Sequence, residues 1–426
     1  MKVYLHLLFL LSWGYLLQGQ TYREISTGNQ YTQQVYLELG EGEPVAIPNE
    51  SWDIAFTAFG LQDAGIHINE STPLSTENAP PAVELYLAPT NVFTDVIQES
   101  DVTDRIFNTE ESWTYGALNN TRDVNNPLDY GWGAYNPSIN QVIGKQVFVL
   151  KMRDGSFKKL SIDSLVINTY YLRHADLDGS NELAATVNKT EFADGGLAFF
   201  SFSSNSTIDA VPENWDLVFC RYNVPLNDGQ GGTINYDVTG LLNHPSVAVA
   251  EVRGIATNEV DETTSLNFED RIDVIGSDWK GFDFTSGWFL RDSLSYVVKM
   301  PNDQLYKLVF IDFSGSGTGT ATFEQSDLGI LSSSENLAPQ GASWAVYPNP
   351  VFDHTLTLSL DLVTSLGAGQ LNLFNTLGQM TWSYTMSTEA GFNAYTLQLP
   401  QTLPAGQYWL RLSTASGQFT QAILIK

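Results

Sequence analysis

A chain of 426 residues is longer than one ordinary domain, and the length leads to an expectation of about two to four. Its 43% hydrophobic and 12% aromatic residues suffice for packed cores, and with 16% charged residues it is not a disordered polyelectrolyte. The charge balance, 20 basic against 48 acidic residues and a net −28, excludes a nucleic-acid binder, which gains affinity by neutralising phosphates, and disfavours direct binding to anionic lipid.

Met1-Lys2 and the apolar run Val3 to Leu17 read as an export signal over residues 1–19, cut after Gly19. No cysteine lies at that junction to carry lipid, and no later stretch is long and apolar enough to span a membrane. Cys220 is the single cysteine, so an internal disulfide and a cysteine zinc site are excluded; an inert core thiol is expected.

From Tyr31 onward, strand patterns dominate. Tyr31 to Leu39 alternates in part and ends in a Gly/Pro turn at Gly40 to Pro44. Trp52 to Phe59 is the next strand, and Ser71 to Pro81 reads as a loop. Between Asn119 and Asn140, Tyr130, Trp132 and Tyr135 stand among turn-forming residues, a composition suited to plugging a β-sandwich end or lining a ligand site. A hairpin is expected next, from Gly144 through Asp154-Gly155 to Ile162.

Several of these patterns recur. Trp52-Asp53-Ile54-Ala55-Phe56 returns as Trp215-Asp216-Leu217-Val218-Phe219, and the Lys151-Met152 hairpin as Lys299-Met300, turning at Asn302-Asp303. Trp279 to Phe282 and Trp288-Phe289 partly repeat the aromatic loop. Gly196 to Phe200 is matched to Gly319 to Phe323, which leaves about 25 extra residues in the first copy, around Tyr170 to Glu182. The expected organisation is therefore all-β: two tandem antiparallel β domains at 20–203 and 204–331, a linker at 332–344, and a small C-terminal β-sandwich at 345–426.

Tyr347-Pro348-Asn349-Pro350, the turn Asn375 to Gln379, Leu403 to Tyr408 and the strand ending at Lys426 resemble the type A C-terminal sorting domain of Bacteroidetes type IX secretion. That resemblance implies a seven-stranded, Ig-like sandwich read by the type IX machinery at the outer membrane, and so a surface or extracellular location. The repeated Trp-Asp strand, the lysine-containing hairpin and the Gly-led closing strand resemble the HmuY family, whose better-known members are surface haem-binding proteins.

Haem needs axial ligands, and outside the signal and the sorting domain the histidines are His67, His174 and His244. His67 lies in the alternating strand Gly65 to Asn69 and could simply face solvent. His174 is the first choice, flanked by Tyr170, Tyr171 and Arg173 in the segment read as an insertion. Asp176, Asp178 and Glu182 put oxygen ligands on alternate positions, as calcium loops do, although an acidic turn reads the same way. No G-x-S-x-G, H-E-x-x-H or P-loop pattern is present, so the expected function is non-enzymatic. It is haem or tetrapyrrole capture, or alternatively adhesion or glycan binding through aromatics around Trp132 and Trp279.

Overall fold

The computed structural model describes residues 20–58, 63–77, 79–109, 112–192, 196–209, 211–330, 343–362, 364–375, 379–414 and 417–426. The expected export signal, and all of the linker except its last two residues, lie outside them. Among the described residues the regular structure is β-strand, interrupted only by single 3-10 turns. The chain forms two compact units, Met1–Leu331 and Ser332–Lys426.

The larger unit begins with β1 (Gln20–Ser26), β2 (Gln33–Leu37), β3 (Val45–Pro48), β4 (Ile54–Thr57) and β5 (Ile66–Ile68). Next come β6 (Glu84–Leu87), β7 (Arg105–Ile106) and the hairpin β8 (Gly133–Asn136) and β9 (Gln141–Gly144). A meander follows: β10 (Val147–Lys151), β11 (Phe157–Val166), β12 (Thr169–Asp176) and β13 (Leu183–Asn188), then β14 (Leu197–Ser201) and β15 (Ser206–Thr207). The second half carries β16 (Leu217–Asn227), β17 (Thr233–Asn243), β18 (Ala248–Arg253) and the hairpin β19 (Lys280–Asp283) and β20 (Gly287–Leu290). It ends with β21 (Leu294–Lys299), β22 (Gln304–Phe313) and β23 (Thr320–Ile330).

Two sheet orders recur. In the first half the strands run β13-β12-β11-β10-β6 and β15-β14-β4-β5; in the second, β1-β23-β22-β21-β18 and β3-β2-β16-β17. The repeated motifs occupy matching places. Asp53 Oδ2 accepts from Phe202 N at 2.8 Å, just past β14, and Asp216 Oδ2 accepts from Leu39 N at 2.7 Å, just past β2. Each Trp-Asp carboxylate thus satisfies a backbone N–H that the ladder leaves unpaired. The hairpins turn alike: Met152 N donates to Ser156 O and Met300 N to Gln304 O, with Gly155 and Asp303 both at positive φ. Lys159 and Lys307, facing inward from β11 and β22, each donate Nζ to loop carbonyls, of Asp95 in one half and of Thr257 and Val260 in the other.

This correspondence corrects two expectations. Gly196 to Phe200 is not the partner of Gly319 to Phe323: β14 pairs with the Trp-Asp strand β4, whereas β23 pairs with β22 and β1. The stretch around Tyr170 to Glu182 is also no insertion. It is β12, the equivalent of β23, and the turn into β13. The second half's versions of β13 and β14 are β1 and β2, from the other end of the described chain. The pairings therefore do not divide the unit at 203/204. Ile25, Val35, Leu37 and Leu39 are buried in one core with Leu217, Phe219, Tyr296 and Phe323. A sheet edge is completed by whichever strand buries its apolar face, at a loop-closure cost that grows only slowly with separation.

The two small sheets share a core. Trp52 packs edge-on to Phe199 at 5.0 Å and Tyr36 to Trp215 at 5.3 Å, while Tyr36 and Phe199 meet at 6.5 Å. Trp52 and Trp215 thus anchor one cluster rather than two independent domains.

The smaller unit holds β24 (Ser343–Phe352), β25 (Thr355–Leu362), β26 (Gly367–Asn375), β27 (Met380–Thr388), β28 (Gly391–Gln398), β29 (Gly406–Thr414) and β30 (Gly417–Ile425). They run in the order β27-β26-β29-β30-β24-β25-β28. β24 pairs with β25 up to Tyr347 and again at Phe352, and in between meets β30 in parallel at Val351. The change of partner falls on Pro348-Asn349-Pro350, where two residues lack the N–H that would continue the ladder. Alternate leucines of β25 (Leu356, Leu358, Leu360, Leu362) fill the core with Leu371, Leu410, Phe419 and Ile423.

Trp52→Ala and Trp215→Ala are each expected to lower the stability of one common unfolding transition by about 3–5 kcal/mol. Urea unfolding followed by circular dichroism checks this. Two separable transitions within residues 20–330, only one of them moved by each substitution, would contradict a shared core.

Candidate functional site

All three candidate histidines point inward. His174, on β12, is buried; its Nε2 meets Asn205 Oδ1 at 2.8 Å and its ring meets Phe202 edge-on at 5.0 Å. Burial holds its pKa below the ordinary value. His67, on β5, is buried rather than solvent-facing. Its Nε2 meets Trp113 O at 2.8 Å, and burial pushes its pKa down to about 4. His244, just after β17, bonds Ser246 through Nδ1 at 2.7 Å and borders a small polar groove with Glu38, Glu213 and Asp216. His67 and His244 lie at the two ends of a row of rings, His67–Trp113–Trp215–His244, with successive centroids 5.0, 6.2 and 4.5 Å apart. His174 stands apart, in the other sheet of the first half.

Asp176, Asp178 and Glu182 sit in and beside the β12–β13 turn, but their carboxylates are engaged locally. Asp176 accepts from Asn181 Nδ2 at 2.7 Å and pairs with Lys158 at 3.4 Å. Asp178 accepts from Ser180 N and Oγ, at 2.8 and 2.6 Å, and Glu182 faces Arg173 at 3.5 Å. Among the described residues no group of three or more His, Cys, Asp or Glu side chains could hold a metal ion. The three carboxylates are thus engaged by neighbouring donors, Asp178 in an Asx-type turn.

The aromatic loops separate into plug and surface. Trp132 and Trp279 are buried and cannot stack on a sugar; their indole N–H groups donate to Ala64 O at 2.8 Å and Gly276 O at 3.1 Å. They are equivalents, since Lys145 N returns to Trp132 O as Arg291 N does to Trp279 O. The hairpins that follow them diverge. β8–β9 is tied into the large sheet through β11, whereas β19–β20 pairs only with itself. Its rings face outward: Phe282, Trp288 and Phe289 are exposed, and Phe284 at the tip is 98% exposed.

Where the first hairpin begins with Gly133, the second begins with Lys280. The Lys280 ammonium donates to Thr239 O and lies 4.2 Å from the Trp279 ring and 4.9 Å from Phe313. Burial pushes its pKa down to about 7. Lys280 borders a groove of about 470 Å³ walled by Phe282, Trp288, Tyr31 and Tyr236, with Arg221, Asp237 and Ser316 along it. Aromatic walls beside Arg221, which also faces Asp237, suit a flat ligand with a polar edge. The sequence pattern singled out Trp279 but not Lys280 or Arg221, because only strand pairing brings β16, β17 and β19 together.

A second, inner cavity of about 60 Å³ lies between the small sheets, lined by Trp52, His67, Glu70, Trp113, Trp215 and Cys220 among others. It is far below the roughly 300–1,000 Å³ of small-molecule sites, so it excludes a whole tetrapyrrole. Glu70 had no sequence signal. Its Oε1 accepts from Asn108 N at 2.9 Å, and burial pushes its pKa up to about 7. Burial also pushes the Cys220 thiol up to about 12, in keeping with an inert core thiol.

An all-β unit is followed by a β-sandwich whose first strand changes partner at Tyr-Pro-Asn-Pro. The sequence matches the HmuY protein family over residues 30–173 and 196–324, and the secretion system C-terminal sorting domain over 345–426. The chain belongs to the HmuY family and carries a type IX sorting domain, so its destination is the outer-membrane surface or the extracellular space. No helix among the described residues is long and apolar enough to cross a membrane. No curated protein matches. Among solved structures, PorZ, a surface component of the type IX secretion system of Porphyromonas gingivalis, is 10% identical with a TM-score of 0.16; the match covers 96% of this chain and 58% of PorZ. The Caenorhabditis elegans fusion protein EFF-1 ectodomain is also 10% identical with a TM-score of 0.16, over 96% of this chain and 94% of that one.

Glu70 makes stability pH-dependent. Its folded-state pKa, about 7, lies above the ordinary 4.5, so the folded protein holds the proton more tightly. The contribution is complete below pH 4.5 and is lost as pH rises through about 7, an effect of about 3 kcal/mol. Glu70→Gln, which keeps an oxygen for Asn108 N, is expected to remove most of that decline. Urea unfolding of both proteins at pH 5 and pH 7.5 checks it; parallel losses in the two would contradict the assignment.

Proposed function

We propose that this protein captures a tetrapyrrole at the cell surface, gripping the macrocycle by its face and its carboxylates rather than through a histidine. The observation that carries the reading is the groove beside β19–β20, where outward-facing rings stand next to Lys280 and Arg221. The HmuY family membership supports the tetrapyrrole class. Phe282 and Trp288 supply the stacking surface. Arg221, which also faces Asp237, supplies charge for a carboxylate, and Lys280, with a pKa of about 7, adds to it as pH falls. The groove offers no histidine to iron; Tyr236, exposed on β17, is the side chain there with an oxygen suited to that role. The activity proposed is binding, not turnover.

A glycan-binding reading draws on the same rings, because Asp237 and Ser316 give the groove hydrogen-bonding groups beside them. A titration separates the two. Hemin and metal-free protoporphyrin IX are expected to bind with affinities within about tenfold of each other, since stacking and charge pairing do not need the iron. Trp288→Ala should weaken both at least about tenfold, a loss typical of an aromatic anchor, and His67→Ala, His174→Ala and His244→Ala should weaken neither. Binding lost in a correctly folded histidine variant would return the site to that histidine. No binding of either compound would favour the glycan reading.

The sorting domain generates a separate expectation. Deleting residues 345–426 should leave the protein in the periplasm, read by cell fractionation; normal surface delivery of the truncated chain would contradict it.

A further inference from the structure

The free hairpin β19–β20 has a neighbour that also departs from the first half. β4–β5 and β16–β17 hold equivalent places in the two small sheets, and both outer strands are covered at two matching positions. On β5, Ile66 N and Ile68 N donate to Asn119 Oδ1 at 2.9 Å and Asn108 Oδ1 at 3.1 Å. On β17, Leu241 N and Asn243 N donate to Gly276 O at 3.0 Å and Ile272 O at 2.8 Å. β5 begins at Ile66, whereas β17 begins at Thr233, well before Leu241. The added length has no counterpart in the first half, so the shared fold does not require it.

That added length has an open side. In an antiparallel pair, residues that bond the neighbouring strand alternate with residues whose N–H and C=O point away. His244 N donates to Asp216 O, and Asp228 N to Gly232 O, so the even-numbered residues of β17 bond β16 and the odd-numbered ones face outward. Thr239 O accepts from Lys280 Nζ, and Asp237 O from the Arg221 guanidinium at 3.4 Å, which leaves that carbonyl a second lone pair. The N–H groups of Asn235 and Asp237 meet no acceptor among the described residues. Proteins usually blunt such an edge with charge, proline or a covering segment. Thr233 to Val238 contains no proline, and its one charged side chain, Asp237, is held by Asn223 Nδ2 at 3.0 Å and faces Arg221.

The groove beside β19–β20 runs along this edge. It is lined by four successive residues, Tyr236 to Thr239, together with Lys280, Phe282 and Trp288 of the hairpin. Side chains alternate between the two faces of a strand, so a space over one face is lined by every second residue; four in a row mark a space that borders the backbone. A row of outward N–H and C=O groups is matched along its length by one kind of occupant, another extended backbone. The net charge of −28 opposes a second copy of this chain as the donor of that backbone. The exposed rings of Phe282 and Trp288 favour apolar and aromatic side chains on it.

We propose that β17 and the aromatic hairpin form a strand-addition site, where an uncharged, extended segment of a partner polypeptide pairs with the outward edge of β17 and lays side chains against Phe282 and Trp288. A bound segment and a tetrapyrrole compete for the groove. The site nonetheless stands without the tetrapyrrole reading, because it rests on the backbone edge.

The test uses the full chain and acetylated, amidated heptapeptides of the pattern Thr-Val-Thr-X-Thr-Val-Thr, with X as Phe, Trp or Leu. At least one is expected to bind, measured by calorimetry. N-methylation at its second, fourth and sixth residues removes the N–H groups along one edge of the peptide strand; methylation at the third and fifth removes those along the other. One set should weaken binding at least about tenfold and the other leave it within about threefold. The amides of Asn235 and Asp237 should exchange more slowly with deuterium once the peptide is bound. Asn235→Pro, which removes an outward N–H and no ladder bond, should weaken the peptide about tenfold; the methylated peptides need no variant and carry the test should that protein misfold. No binding by any heptapeptide, equal losses from the two methylated sets, or unchanged exchange at Asn235 and Asp237 would each overturn the proposal. Slower exchange on raising the protein concentration alone would assign the edge to a second copy and overturn it too. Tetrapyrrole binding is read without peptide through Trp288→Ala, so either reading can fail alone.

Discussion

The architecture depends on the edge of a half-finished sheet. The strand that follows Trp215-Asp216 has β17 on one side and needs a partner on the other, and β2 supplies it. Asp216 fastens the join by accepting Leu39 N, across 177 residues of sequence. The first half solves the same problem locally, with Asp53 and β14. Both carboxylates pay a desolvation cost, and burial raises both pKa values, that of Asp216 to about 6. An unpaired backbone N–H at a buried sheet end would cost a comparable amount, which is why an acid recurs at this place.

The shared core follows from that interlock. With β2 paired to β16, Tyr36 touches both Trp215 and Phe199 of the sheet that holds β4 and β14, and the small sheets are packed as one. The inner cavity is the gap left where those sheets meet, so its wall draws on both halves. The aromatic hairpin lies outside this core, held by Lys280 and by Trp288, whose ring packs on Phe313 at 4.9 Å.

The two copies act as each other's control. At positions with structural duties they agree: Asp53 and Asp216, Lys159 and Lys307, Trp132 and Trp279. At β8–β9 against β19–β20 they part, with a Gly for a Lys and a tied hairpin for a free one. A buried Trp-Asp strand tolerates little change because packing and satisfied hydrogen bonds both constrain it. A hairpin with one face in solvent is free to acquire rings.

The sequence by itself determined the all-β class, the repeated Trp-Asp strand, the Asp-Gly hairpin turn and the sorting domain, because each is a local pattern: alternation, a turn residue with positive φ, or proline where a strand changes partner. It also indicated that Trp132 and Trp279 belong together. The tertiary structure alone decided which strands complete the second half, since β1 and β2 carry no mark of partners about 300 and about 180 residues away. For the same reason only the structure could turn His67 inward, place His174 on a paired strand instead of an inserted loop, and gather Trp52, Glu70 and Cys220 around one cavity. Burial and hydrogen-bond partners depend on which strands meet, and β-pairing is non-local: the same alternating stretch fits many edges, and only the assembled sheets select one.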